Sequence, residues 1–211
     1  MDFKNTVHFE LTGRYALFTD PLTGCGGEKC SLPVPTFEAL KGAARGIYSS
    51  RDFCWTILAV RIMRPIITES ITLTRLDYFK KGRDISVYTY LRDVRYQVLA
   101  RIEFAQDIPR ETRLKHFSIL RRMLQRGGSR MIYLGTADCP ADISLTRFGA
   151  GGGYYDDEST DFGLMYHSIS YHNGKPCSVQ LFHCCMQHGI IIFPSPQNCM
   201  VSRKTNSYAL V

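Results

Sequence analysis

The chain has 211 residues, of which 45% are hydrophobic and 21% are charged, and its formal net charge is +7. These values are typical of a globular protein with one large domain or two small ones. No stretch approaches the ~20 apolar residues that a membrane span requires, and the segment MDFKNTVHFELTGRY lacks the basic-then-apolar plan of a signal peptide. We therefore expect a cytoplasmic protein with no membrane partner, whose eight cysteines are mostly free thiols.

The first half of the chain predicts a strand, a helix and two more strands. The segment TVHFELTG alternates apolar and polar residues, as a half-buried strand does. After the glycine- and proline-rich loop TDPLTGCGGEKCSLPVP, we expect a helix with Thr36 as its N-cap, and its apolar residues recur at helical spacing between Phe37 and Ile47. The segment FCWTILAVRIMRPI then predicts a central strand. In VRYQVLARIEF, alternate residues from Val94 to Phe104 face one way, which predicts another strand.

The second half predicts a basic helix, RLKHFSILRRMLQRGGSR, that ends at Gly127 and Gly128, and then a short strand, RMIYLGT. Three later segments, FGLMYHSISY, SVQLFHCC and HGIIIF, predict a small antiparallel sheet. The fold class is therefore α+β. The order strand, helix, strand, strand, helix, strand predicts a ferredoxin-like (RRM-like) N-terminal domain at residues 1–138, followed by a small C-terminal antiparallel β-sheet domain at 139–211.

The basic helix and its flanks concentrate the positive charge of the chain. Residues 110–130 contain seven Arg or Lys against a single Glu, a surplus that is typical of nucleic-acid binding. On a helical projection Lys115, Arg122 and Arg126 share the exposed side, and His116 lies at the seam with the core side. That core side is formed by Leu114, Phe117, Leu120 and Leu124. Two interpretations stay open: a solvated amphipathic helix with a histidine at its edge, or a site that binds and processes a strand of phosphates.

Other motifs give weaker indications of function. The glycine-rich segments GCGGEKC and GAGGGYYDD lack the spacing of nucleotide-binding loops, and VRYQVLARIEF lacks the aromatic signature of an RNA-recognition motif. In HCCMQH, adjacent strand residues point to opposite faces, which argues against a zinc site. A thiol or metal enzyme built on Cys184 and His188 is nevertheless a third interpretation. The acidic run from Asp156 to Asp161 is interpreted as a solvated loop, not a magnesium site.

Several stretches resemble a known family. GRYALFTDP, GGEKCSLPVPTFEALKGAARGIY, VRIMRPIITES, YTYLRDVRYQV, KHF, RGGSRMIYLGT and DFGLMYH occur in this order over nearly the whole chain. They resemble the subtype I-C (Dvulg-type) member of the fifth CRISPR-associated protein family, in the repeat-associated mysterious protein superfamily. The resemblance implies a metal-independent endoribonuclease without a cofactor, which cleaves CRISPR precursor transcripts within repeat hairpins. It also implies that the protein remains on the guide RNA within the type I-C interference complex, together with the backbone and large subunits.

The resemblance further implies the catalytic residues. A tyrosine at the end of the first helix and a lysine–histidine pair on the second map to Tyr48, Lys115 and His116. Tyr48 falls on the apolar side of its helix by angle, so it must lie beyond the last turn to reach RNA. A histidine suits proton transfer and a lysine suits stabilisation of phosphate charge.

We also expect basic residues of this segment to bind the nucleic-acid backbone, namely Arg113, Arg122, Arg126 and Arg130. The alternative is a subunit that only binds, holding guide RNA or duplex DNA through its basic face while another protein cuts.

Overall fold

A computed structural model of the protein describes residues 5–19, 29–77, 82–172 and 175–201. The glycines at 24–27 and the turn at 173–174, which the sequence interpretation used, lie outside these residues. The α-helices are α1 (Phe37–Ile47) and α2 (Arg110–Gln125). The strands are β1 (Thr6–Ala16), β2 (Lys29–Cys30), β3 (Phe53–Ile62), β4 (Thr68–Asp77), β5 (Gly82–Phe104), β6 (Ile132–Tyr133), β7 (Pro140–Leu145), β8 (Ser159–His172), β9 (Lys175–Gln187), β10 (Ile190–Ile192) and β11 (Met200–Val201). Neither α1 nor α2 has the length and apolarity needed to cross a membrane.

Most strands pair antiparallel in one curled sheet. Its central order is β10-β3-β5-β1-β7, and β9 follows β10 at one end. β4 forms a long hairpin with the first half of β5, and the short β2 makes a parallel pairing with β5. Strand β5 is thus the central strand of the sheet, because it pairs with four different strands along its length.

The predicted faces of β1, α1 and β5 are confirmed. Along β5, alternate residues from Val94 to Ile102 are buried, as the alternation predicted. Thr36 caps α1, since its side-chain oxygen accepts a hydrogen bond from the Ala39 N–H at 3.3 Å. Apolar spacing therefore sets these elements, because one face of each is removed from water.

The predicted orientation of α2 is wrong by a small rotation. Its buried residues are His116, Leu120 and Leu124, spaced one turn apart, whereas Leu114 is 39% exposed. A count of apolar residues favours Leu114 over a histidine as a core residue. The polar partners of His116, described below, remove the cost of burying it.

Three features of the sheet differ from the sequence prediction. The segment after β3, interpreted from the sequence as a polar excursion between strands, forms strand β4. The strand that lies beside β1 is β7, not the segment RMIYLGT, in which only Ile132 and Tyr133 pair, and they pair with β7. The C-terminal strands continue the same sheet, since β10 pairs with β3. The domain boundary predicted between residues 138 and 139 would therefore separate β7 from β1, the strand with which it pairs.

An ion pair between a buried arginine and a partly exposed aspartate holds the loop that leads from β7 to the C-terminal strands. Arg61, on β3, is only 6% exposed, and its guanidinium donates to both carboxylate oxygens of Asp156 at 2.7 Å. The Gly153 N–H also donates to Asp156, at 2.7 Å. These hydrogen bonds, with that of Arg61 first, lower the pKa of the Asp156 carboxyl. The acidic run is therefore not only a solvated loop, because one of its members neutralises a buried arginine.

We expect Asp156→Asn to reduce the free energy of unfolding at neutral pH by about 1–3 kcal/mol, because it leaves the buried Arg61 charge without its counter-ion. A carboxyl whose pKa is lowered by folding stabilises the fold above its unfolded pKa of ~3.9 and loses that contribution as the pH falls through the folded value. The difference from the parent should therefore shrink below pH ~4. Urea unfolding across pH measures it, with the exposed Asp157→Asn as the control. A pH-independent difference would contradict the assignment.

Candidate active site

Tyr48 lies directly after α1, where the helix has already ended. It is the C-cap residue, with an extended backbone at φ −162° and ψ 136°, so it leaves the helical path as the sequence analysis required. The Trp55 indole N–H donates to the Tyr48 carbonyl at 2.8 Å and fixes this turn against β3. The tyrosine side chain is thereby directed away from the position that it would have on the apolar side of α1.

His116 is buried in an aromatic cage. Its side chain projects from the second turn of α2, and the residue is 7% exposed. The rings of Phe53, Phe104 and Tyr48 surround the imidazole with centroid distances of 5.5, 5.9 and 5.8 Å. Phe53 begins β3 and Phe104 ends β5, so the cage forms where the two strands meet the helix. The aromatic side chains leave the ring little freedom to rotate.

Both nitrogens of the imidazole have partners. The Tyr48 hydroxyl lies 2.8 Å from Nδ1, and the Asp52 carboxylate oxygen Oδ2 lies 2.8 Å from Nε2. The Ser50 hydroxyl donates to the same Oδ2 at 3.2 Å. The result is a continuous chain of polar groups from Tyr48 through His116 to Asp52, which we call the Tyr48–His116–Asp52 relay. Relays of this form position a histidine for proton transfer in many enzymes.

Asp52 was missed in the sequence analysis. It lies in the loop between α1 and β3, within the segment YSSRDF, where no spacing rule or motif distinguishes it from a solvated loop residue. Only the fold brings it to His116, which is 64 positions away. No signal in the single sequence could have found it.

The environment keeps the Tyr48 hydroxyl protonated. Partial burial raises the pKa of Tyr48 above its ordinary value, and the negative charge of Asp52 raises it further. A phenol with a raised pKa remains a hydrogen-bond donor at neutral pH. It can therefore donate to an unprotonated imidazole nitrogen.

The basic residues of the α2 region are mostly exposed, as predicted. Lys115, Arg122, Arg126 and Arg130 are all accessible to solvent. From the helix rise, Arg122 and Arg126 lie ~9 and ~15 Å along the axis from His116. Arg113 differs, since its Nε donates to the Ile108 carbonyl at 2.9 Å and its guanidinium lies 5.5 Å from the Phe104 ring centroid. It helps to hold the start of α2.

A groove of about 620 Å³ borders the far end of α2. Its lining includes Arg14, Arg130 and the glycines that end the helix, Gly127 and Gly128. Both glycines have positive φ, at 84° and 106°, which only glycine adopts readily. The Ser129 N–H donates to the Ile47 carbonyl at 3.0 Å. One lining residue of the groove, Ser129, is thus tied to the last residue of α1, immediately before Tyr48.

A second cluster of polar side chains lies away from the relay. The ligand atoms of Asp161, His183 and Cys185 lie within 4.8 Å of one another and could hold a metal ion. His183 and Cys185 are exposed on one face of β9, whereas Cys184 points inward and is 1% exposed. His188 instead contacts the Asp156 carbonyl. His183, Cys184 and Cys185 thus do not all converge, as the strand alternation indicated, although His183 and Cys185 share one face with Asp161.

Comparisons with known proteins place the chain among its relatives. Residues 6–192 match the family described as CRISPR-associated protein (Cas_Cas5). The structure is similar to that of a functionally uncharacterized protein, SMU1763c, from Streptococcus mutans, at 28% identity and a TM-score of 0.77, with 93% of this chain and 96% of that chain covered. It is also similar to a structure described as a CRISPR-associated protein, at 25% identity and a TM-score of 0.74, with the same coverage. No curated protein sequence matches the chain.

Proposed function

Because the chain belongs to the Cas5 family of CRISPR-associated proteins, of the subtype I-C (Dvulg) type, we propose that it is a metal-independent endoribonuclease. It cleaves CRISPR precursor transcripts within their repeat hairpins to give guide RNAs. It then remains on the guide as a subunit of the type I-C interference complex, beside the backbone and large subunits. The ferredoxin-like RNA-processing region contains α1, α2 and four strands in the order β3-β5-β1-β7.

The observation that carries this proposal is the hydrogen bond between Tyr48 and His116, at 2.8 Å. RNA supplies its own nucleophile, the 2′-OH, so cleavage needs a proton acceptor but no bound water. A histidine in this role typically contributes ~10²–10⁴-fold to the rate. A buried histidine that contacts a partly exposed tyrosine supports this chemistry, since it can take up a proton through the hydroxyl.

The proposed reaction begins when the 2′-OH attacks the adjacent phosphorus. Its proton passes to the Tyr48 oxygen while the Tyr48 proton passes to His116 Nδ1. The bond from phosphorus to the 5′ oxygen breaks, and that oxygen takes a proton from water. The products are a 2′,3′-cyclic phosphate and a 5′-hydroxyl. Tyr48 is thus the group that meets the RNA, and His116 acts behind it.

The exposed cations complete the proposed site. Lys115 adjoins His116 in the chain and is solvent-accessible, so its ammonium can stabilise charge on the non-bridging oxygens of the scissile phosphate. Arg122 lies near the end of α2, Arg126 is its C-cap, and Arg130 lines the groove beyond it, at intervals that suit the tracking of successive phosphates. They bind the hairpin without taking part in the chemical step.

One observation favours a second function, that of a subunit that only binds. Both nitrogens of His116 are already hydrogen-bonded within the protein, as in a histidine that only stabilises a fold. In that case the basic face holds guide RNA or duplex DNA and another protein cuts. Incubation of the purified protein with its own repeat RNA in EDTA separates the two functions. Cleavage to a cyclic phosphate supports the nuclease, and intact RNA in a stable complex supports the binding subunit.

We expect His116→Ala to reduce the cleavage rate by at least ~10²-fold, because it removes the proton acceptor. The affinity for the uncut hairpin should stay within a few-fold of the parent. Single-turnover cleavage and equilibrium binding measure the two effects, with the exposed His183→Ala as the control. Equal losses of rate and affinity would place His116 in binding or folding.

We expect Arg122→Ala and Arg126→Ala to weaken hairpin binding and to reduce its salt dependence by about one counterion each. Salt titrations of the affinity measure this. The control is Arg64→Ala. Arg64 is exposed and follows the C-terminal end of β3, whereas Phe53, beside His116, begins that strand. Slopes equal to the parent's would mean that these arginines only keep the face soluble.

We expect Lys115→Ala, in contrast, to lower the cleavage rate more than the affinity, because its charge acts on the scissile phosphate. Lys115→Arg should restore part of the rate, since it keeps the charge. Single-turnover rates and hairpin affinities, measured side by side, distinguish these effects. A loss confined to affinity would assign Lys115 to the backbone-binding residues.

A further inference from the structure

We infer that Asp52 is a positioning residue, which holds the His116 imidazole in the tautomer that carries its proton on Nε2 and presents an unprotonated Nδ1 to Tyr48. The inference deepens the proposed function and rests on it, because the tautomer matters only if His116 accepts a proton. Its structural part stands on the geometry of the relay alone.

The chemistry of the partners fixes the direction of each hydrogen bond. An ionised carboxylate has no hydrogen to donate, so the 2.8 Å contact between Asp52 Oδ2 and Nε2 requires a proton on Nε2. A neutral imidazole carries only one such proton, so Nδ1 has a free lone pair. The Tyr48 hydroxyl, 2.8 Å away, then donates to Nδ1. The raised pKa of Tyr48 agrees with this direction, since the phenol keeps its proton.

Asp52 is itself held in place. The Ser50 hydroxyl donates to Oδ2 at 3.2 Å and accepts from the Asp52 N–H at 3.3 Å. The Ala105 N–H donates to the Asp52 carbonyl at 3.0 Å and ties the loop to the end of β5. The loop is thus fixed at both its backbone and its side chain. A carboxylate held in this way can determine the orientation of the ring that it contacts.

The aromatic cage prevents the ring from compensating. Phe53 contacts the imidazole edge-on at 73°, and Phe104 lies tilted against it at 42°. A flip of the ring about its Cβ–Cγ bond would put Cδ2 in place of Nδ1 and Cε1 in place of Nε2, and it would have to pass these side chains. The cage therefore keeps Nε2 facing Asp52 and Nδ1 facing Tyr48, and the Asp52 carboxylate selects the nitrogen that carries the proton.

The proton balance of the reaction follows from this arrangement. In the attack, the proton of the 2′-OH moves to the Tyr48 oxygen and the phenolic proton moves to Nδ1, which gives an imidazolium. Asp52 stays ionised throughout, and its negative charge lies against the new positive charge. The imidazolium returns its proton through Tyr48 to solvent before the next cycle. Without Asp52, the proton can reside on Nδ1, and the ring then cannot accept from Tyr48.

The tautomer is measured directly by nitrogen NMR of the ¹⁵N-histidine-labelled protein at pH ~8, above the ordinary titration range of histidine. We expect the His116 signals of a ring that is protonated on Nε2 and unprotonated on Nδ1. In Asp52→Ala and Asp52→Asn, these signals should shift toward a mixture of tautomers or toward protonation on Nδ1. Asp107→Asn, an exposed acid shortly before α2, serves as the control. Asp52→Asn keeps the volume of the side chain and protects the test against misfolding.

The kinetic test separates positioning from a merely structural role. We expect both Asp52 variants to lower the single-turnover rate by at least ~10²-fold and to leave hairpin affinity within a few-fold. A parent ring protonated on Nδ1 or on both nitrogens would overturn the inference, as would a tautomer or a rate that is unchanged in both variants. If the parent shows the expected tautomer but does not cleave the repeat RNA, the proposed nuclease function fails. The positioning of the ring by Asp52 is then decided by the spectra of the parent and of the two Asp52 variants.

Discussion

The arrangement of the candidate site depends on the burial of one imidazole between two polar partners. A histidine in an apolar cage loses its hydrogen bonds to water, and this costs free energy unless the protein replaces them. Here Tyr48 replaces one and Asp52 the other, so the three side chains can occupy this place only together. Tyr48 follows α1, Asp52 precedes β3 and His116 belongs to α2. The relay therefore joins the end of α1, the loop before β3 and the second turn of α2.

A comparison within the same fold shows what is special about His116. His167, on β8, is fully buried and stacks on Phe37 of α1 at 4.0 Å between ring centroids. Burial lowers its pKa to about 4, and its partners are the Ser168 hydroxyl and the Pro194 carbonyl. Among the described residues, its hydrogen-bond partners include neither a carboxylate to support a positive charge nor a tyrosine that leads to solvent. Its place is that of a core histidine, which joins the C-terminal strands to α1. The two residues share burial and differ in their partners, and chemistry follows the partners.

The sequence predicts the parts of this protein that local periodicity controls. The alternation in β1 and β5 and the cap at Thr36 follow from short-range patterns, and the structure confirms them. The position of Tyr48 beyond the last turn of α1 is required only by the role that the family resemblance implies, and Tyr48 does lie there. It does not predict what depends on distant residues. A count of apolar side chains does not predict the rotation of α2, because a histidine whose nitrogens are hydrogen-bonded can take the place of a leucine in the core. Asp52 escapes because its partner is 64 positions away. Strand β4 is not predicted because, in its described part, only Ile71 and Leu73 pack against the core, while its pairing with β5 runs along its whole length.

The pairing of β7 with β1 and of β10 with β3 has a consequence for any shortened form of the chain. A fragment that ended at residue 138 would lose both of these strands. The backbone N–H and C=O groups that they cover on β1 and β3 would then form two open sheet edges, and such edges recruit further chains into aggregates. The C-terminal half thus covers two sheet edges of the N-terminal half, and this pairing prevents the aggregation that the exposed edges would promote.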